Sequence, residues 1–145
     1  MSIESDLLNA LPGDVIVSSA EIEPRYLGDW IHHDGQARPA ALARPRTTAE
    51  VSTVLSRCQR YGVPVVPQGG RTGLAGGATP GTGSVILSME RMRSIEAVDV
   101  ASSTIAVEAG AVLEAVQRAA DSADLLFPLD IGGRGSCTIG GNIST

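Results

Sequence analysis

Between residues 67 and 77 the chain reads PQGGRTGLAGG, five glycines in eleven positions. Val63, Val65 and Val66 precede it, and the apolar run SVILSM at 84–89 follows soon after. A stretch with so few β-carbons packs no core. It exposes successive main-chain amides, whose N–H dipoles suit an anion and whose bareness lets a ligand approach closely. Taken alone, a plain turn between two strands is the simpler account of such a cluster. The familiar nucleotide fingerprints are missing: there is no GxxxxGK[ST], and no GxGxxG between a strand and a helix. The loop runs from strand towards strand, so its amides act without the dipole of a following helix.

A second cluster, PLDIGGRGSCTIGGN at 128–142, sets Gly132, Gly133, Gly135, Gly140 and Gly141 among Ser136, Thr138 and Asn142. Two such loops in one small domain suit a long ligand better than a single phosphate. Amide nitrogens and short polar side chains also suit a flavin ring, whose edge alternates acceptors and donors.

The rest of the chain narrows the function classes. At 145 residues and 14.9 kDa it is one ordinary domain, and 43% apolar with 19% charged residues is a globular balance. A net charge of −5 disfavours sequence-independent nucleic-acid binding, which needs a basic face. No apolar stretch approaches the roughly 20 residues of a membrane span. The opening MSIESDLLNALPGDVIV lacks a basic n-region and a long apolar core, so a cytoplasmic protein is the default expectation. Cys58 and Cys137 form neither a ligand cluster nor a disulfide framework.

Periodicity predicts a short helix over 3–10, stopped at Pro12–Gly13. Thr47 and Glu50 have capping-box spacing ahead of Val51, Val54, Leu55, Cys58 and Tyr61, a helix that Gly62 ends. Ala40–Leu42 and Val63–Val66 read as strands paired side by side around that helix, a small β-α-β unit. Ser84–Met89 is a further strand, 91–99 and 104–108 a hairpin, and 111–123 a second amphipathic helix with Val112, Leu113, Val116 and Ala120 on one face. Residues from Leu125 on read as a loop without a period. The fold class is α+β: a β-α-β subdomain followed by a mixed sheet with helices.

VVPQGGRTGLAGG, with RPRTTAEV, VEAGAVL and FPLDIGGRGSCTIGGN in the same order and spacing, resembles the FAD-binding domain of the FAD-linked oxidases. This is the PCMH-type fold of vanillyl-alcohol oxidase and p-cresol methylhydroxylase, and the likeness covers about residues 26–145. GSCTIGGN and Asp29–Trp30 lean towards the D-2-hydroxyglutarate dehydrogenase-like D-2-hydroxy acid dehydrogenases, with D-lactate and glycolate relatives second.

The resemblance implies FAD as cofactor. Pro67, Gly69, Gly70, Arg71, Thr72 and Gly73 would wrap its pyrophosphate, with Gly76 and Gly77 completing the turn. Pro128, Leu129 and Asp130 would pass near the flavin. Gly135, Ser136, Cys137, Gly140, Gly141 and Asn142 would contact the ring or the adjoining ribityl and diphosphate, and Glu108–Gly110 would give at most a supporting contact. Arg71 stands where some covalent-flavin relatives carry histidine, so the flavin is expected to be held non-covalently.

By the same resemblance, residues 1–145 are the N-terminal portion of the FAD domain, a fragment expected to be inactive alone. The family's second FAD section and its substrate domain, with a metal site of histidines and a carboxylate, would lie beyond it. The parent enzyme would pass a hydride from the α-carbon of a D-2-hydroxy acid to flavin N5, with electrons going on to an acceptor the sequence leaves unknown; a homodimer is compatible with this. A non-catalytic nucleotide-binding or interaction module is the rival class. The adjacent His32 and His33 read as exposed turn residues rather than a chelating pair, Cys58 as core, and Asp99 and Glu108 as unpaired carboxylates. No catalytic residue and no metal ligand is assigned.

Overall fold

A computed structural model describes residues 2–31 and 36–144; His32 and His33 lie outside the described residues. Helix α1, Ile3–Ala10, starts where the Ser2 hydroxyl accepts the Ser5 N–H and buries Ile3 and Leu7. Helix α2, Thr48–Tyr61, carries the full capping box: Thr47 Oγ1 accepts the Glu50 N–H, and the Glu50 carboxylate accepts the Thr47 N–H. At its other end Gly62 turns left-handed at φ +64°, and Val63 N–H reaches back to the Cys58 carbonyl at 2.9 Å. Asp6 on α1 takes the Arg57 guanidinium of α2 through both carboxylate oxygens, at 3.0 and 3.1 Å.

Four strands make one mixed sheet: β1 Ile16–Ser18, β2 Ala41–Ala43, β3 Val65–Gln68 and β4 Val85–Ser88. Their order is β1-β2-β4-β3, with β1 antiparallel to β2 and the other three parallel. The expected side-by-side pairing of the Ala40–Leu42 and Val63–Val66 strands is therefore corrected, because β4 lies between them. Every residue of β4 is buried, the pattern of a central strand covered on both faces, whereas β3 carries Pro67, which only an edge tolerates well. One face of the sheet packs Ala41, Ala43, Val85 and Leu87 on Leu7, Val54 and Cys58 of the two helices; on the other, Leu42 and Ile86 meet Tyr26.

The expected hairpin of 91–99 with 104–108 is present only as bridges, Ile95 to Val107 and Asp99 to Thr104. Asp99 Oδ1 accepts the Ala101 and Ser102 N–H groups and closes it as a tight turn. Helix α3 runs over Leu113–Asp121, shorter at both ends than the expected 111–123. Ala111 lies outside it: its N–H bonds Glu108, and its carbonyl takes the Ile139 N–H. Leu113 and Val116 build a second core with Ala111, Cys137 and Ile139, against which Ile95, Val107, Phe127 and Leu129 pack. Helix α4, Ile139–Ser144, stands where the sequence predicted only loop. Among the described residues no helix is long and apolar enough to cross a membrane.

Candidate cofactor cleft

The glycine loop leaves the end of β3 and is fastened at several points. Gln68, fully buried, donates its Nε2 hydrogens to the Tyr26 carbonyl at 2.8 Å and the Ala78 carbonyl at 2.7 Å. Asp29, buried, accepts the Gly76 N–H at 2.7 Å and the Ile31 N–H at 3.0 Å. A freely flexible turn would carry no such clamps, so the loop is a fixed surface.

The two glycine clusters, about sixty residues apart in the chain, meet. A β-carbon on Gly70 would overlap the Ser136 carbonyl, and one on Gly69 would overlap the Thr138 hydroxyl. Only glycine at 70 lets the two backbones approach so closely. Between them opens a cleft of about 630 Å³, within the range of small-molecule and cofactor sites. Of the residues singled out from sequence, Pro67, Gly69, Gly70, Arg71, Thr72, Gly73, Gly77, Leu129, Cys137, Gly141 and Asn142 line it.

The others have different places. Gly76 is held by Asp29, and Gly140 packs on Ala109 at 2.8 Å from where its β-carbon would stand. Ser136 turns its carbonyl to Gly70, Gly135 lies beside Glu114, and Asp130, exposed, pairs with Arg134 at 3.4 Å. Pro128 is not in the wall. Sequence reasoning missed Leu74, Ala75, Ala78, Ile131 and Ser144, which do line the cleft, as does Thr138, noted there only as a short polar side chain of the second cluster. The signal for three of the wall positions was helical spacing: α4 begins after Thr138, so Thr138, Gly141 and Asn142 fall three and four residues apart on one side.

Charge in the cleft comes from one side chain. Among the described residues lining it, Arg71 alone is ionised, and no described carboxylate pairs with it. Arg71 holds φ +54°, a left-handed backbone that costs a non-glycine residue about 1 kcal/mol. Its guanidinium lies 5.0 Å from the centroid of the Tyr26 ring, over which Arg25 also sits at 4.6 Å. The Tyr26 hydroxyl donates to Glu90 Oε1 at 2.7 Å, and Arg44 Nε donates to the same oxygen at 2.6 Å. Burial and the Glu90 carboxylate raise the Tyr26 phenol above its ordinary range. Burial alone would raise Glu90, but the Tyr26 hydrogen bond and the Arg44 guanidinium hold its carboxyl below the usual value.

Thr138 Oγ1 and Asn142 Oδ1 are buried in the wall and find no hydrogen-bond partner in the protein. Orphaned buried acceptors are rare in folded proteins and mark a place where a ligand's N–H or O–H belongs. Bare amides, one cation and these two oxygens form a donor and acceptor set that fits a flavin dinucleotide.

The model of the FAD-binding domain family matches residues 39–145. The chain belongs to the FAD-binding domain family. Mitochondrial D-2-hydroxyglutarate dehydrogenase of Bos taurus is 39% identical over 139 residues, 96% of this chain and 25% of that protein. Alkyldihydroxyacetonephosphate synthase superposes with a TM-score of 0.86 at 17% identity, over 99% of this chain and 28% of the other. p-Cresol methylhydroxylase with substrate bound gives 0.79 at 18% identity, over 97% and 28%. At such identities the structures show the fold, and it is the PCMH-type FAD-binding fold expected from the motifs. FAD is the cofactor of this domain, and the chain spans about a quarter of the length of the bovine relative.

Proposed function

We propose that this FAD-binding domain is the cofactor-holding part of a flavin-dependent dehydrogenase that oxidises a D-2-hydroxy acid of the D-2-hydroxyglutarate type to the 2-oxo acid. One observation carries the cofactor half of that reading: both glycine loops close on a single cleft whose wall offers amides, one cation that no described carboxylate pairs, and two orphaned acceptors. The bovine relative supports the substrate half.

Bound there, FAD supplies the oxidising chemistry; the chain binds and orients it. Loop 69–73 would present main-chain N–H groups and the Arg71 cation to the pyrophosphate. Thr138 and Asn142 would take hydrogen bonds from the flavin portion, and Leu129 and Ile131 would give it an apolar wall. The cofactor is held without a covalent bond, and residues that recognise the hydroxy acid lie outside this chain.

Titration of the purified chain with FAD tests the first half. Flavin fluorescence should be quenched saturably, and denaturation should release all the flavin as free FAD; a folded chain indifferent to FAD would refute the assignment. For the second half, the full-length protein should bleach its flavin anaerobically with D-2-hydroxyglutarate faster than with D-lactate. The reverse order would replace the substrate class.

A further inference from the structure

Tyr26 lies far from both glycine loops in sequence, and it does not line the cleft, yet it touches the one charge that does. We infer that Tyr26 is a positioning residue, which holds the Arg71 guanidinium over its ring so that the cleft presents a fixed cation to the pyrophosphate of a dinucleotide. This rests on the FAD reading of the cleft and goes beyond it, since it assigns a role to a side chain outside either loop.

The ring cannot move with its cation. Tyr26 is 1% exposed, with its hydroxyl bound to Glu90 and its carbonyl to Gln68, the residue that also fastens Ala78. Glu90 is in turn fixed by Arg44 at the end of β2, so the ring is tied to the sheet. The phenol donates to Glu90 and its oxygen accepts from Arg25 at 2.8 Å, so it is held at both its proton and its oxygen while its face attracts a cation. Arg71 itself donates to no described acceptor, so its N–H groups remain available for phosphate oxygens. Its left-handed backbone aims the side chain from a point where glycine would sit with less strain, as a residue kept for its charge does. An arginine free to swing would lose several rotamers on binding; one already stacked loses fewer, which strengthens binding without a new contact.

Two measurements on the purified chain test this. In the first, FAD is titrated into wild type, Tyr26→Phe, Tyr26→Leu, Arg71→Met and the Tyr26→Leu/Arg71→Met double variant. Arg71→Met should weaken FAD by about 10- to 100-fold, the size of a lost charge-assisted hydrogen bond. Tyr26→Leu should weaken it about 3- to 30-fold and Tyr26→Phe by less than about 3-fold, since the ring remains. In the double variant the leucine should add nothing to Arg71→Met. An equal leucine effect in both backgrounds makes Tyr26 a core residue only and overturns the inference.

The second measurement needs no flavin. The Arg71 Nε–Hε resonance should be shifted upfield by the Tyr26 ring in wild type and Tyr26→Phe, not in Tyr26→Leu, and inorganic pyrophosphate should move it. If FAD fails to bind while pyrophosphate moves that resonance, the flavin reading falls and the positioned cation stands. If the resonance is unshifted or ignores pyrophosphate, the inference falls whatever FAD does.

Discussion

Gly70 and Gly73 sit three residues apart in one loop and are glycine for different reasons. A β-carbon at 70 would run into the Ser136 backbone, so Gly70→Ala must push the two loops apart. Strain of that kind costs about 1–3 kcal/mol and would show as a lowered melting temperature. A β-carbon at 73 would meet nothing within 4 Å, and the backbone there is not left-handed. Gly73→Ala should therefore leave stability unchanged or raise it by about 0.5 kcal/mol, through a less disordered unfolded chain. It also puts a methyl into the cleft wall, so FAD affinity should fall while the melting temperature does not. Fluorescence titration beside thermal melts reads both, and a Gly73→Ala chain that binds FAD as tightly as wild type would remove position 73 from the site.

Among the elements, those with local signals were legible and those set by distant contacts were not. Thr47, Glu50 and Gly62 mark both ends of α2 in the sequence, and the structure places the caps there. Because that helix packs on the sheet face away from Tyr26, Thr47→Ala should cost about 1 kcal/mol of stability and leave FAD binding alone. Chemical denaturation gives the first number and the FAD titration the second. Helix α4 carried no comparable sign. It is six residues long with glycine at 140 and 141, poor helix formers by themselves, and it forms because Ile139 joins the second core and Gly140 fits against Ala109. Strand order was hidden for a related reason: that β4 inserts between β2 and β3 depends on which strand is buried on both faces, and no neighbour in the chain says so. The glycine loops themselves were visible as cofactor backbone. Asp29 and Gln68, which hold the first loop in place, were not, since a lone buried carboxylate or amide declares its partners only once the chain is folded.

Across the whole molecule, the network of Tyr26, Glu90 and Arg44 joins the segment before β2, the end of β2 and the turn after β4 at one point. Its two acids shift in opposite directions, which fixes a pH window. Glu90 is held below its ordinary 4.5, so its contribution to stability is complete above that value and disappears as pH falls through the lowered one. Tyr26 is raised above 10.0, so its contribution is complete below 10.0 and disappears as pH climbs through the raised value. The melting temperature should thus fall away on both sides of a neutral plateau. Tyr26→Phe has no phenol to ionise and also removes the hydrogen bond that lowers Glu90, so it should flatten the alkaline limb and shrink the acid one to what Arg44 sustains; Glu90→Gln should lower the plateau and flatten the acid limb. Ionising the phenol would put a negative charge between Arg25, which donates to its oxygen at 2.8 Å, and Arg71 over its ring, and so offset part of the positive field that Arg71 presents to the cleft. Wild-type FAD affinity should accordingly decline along the alkaline limb of the melting curve, and that decline should be absent in Tyr26→Phe. An affinity that falls equally in both proteins would place the responsible proton elsewhere, the isoalloxazine N3–H of the free flavin being the first alternative to titrate.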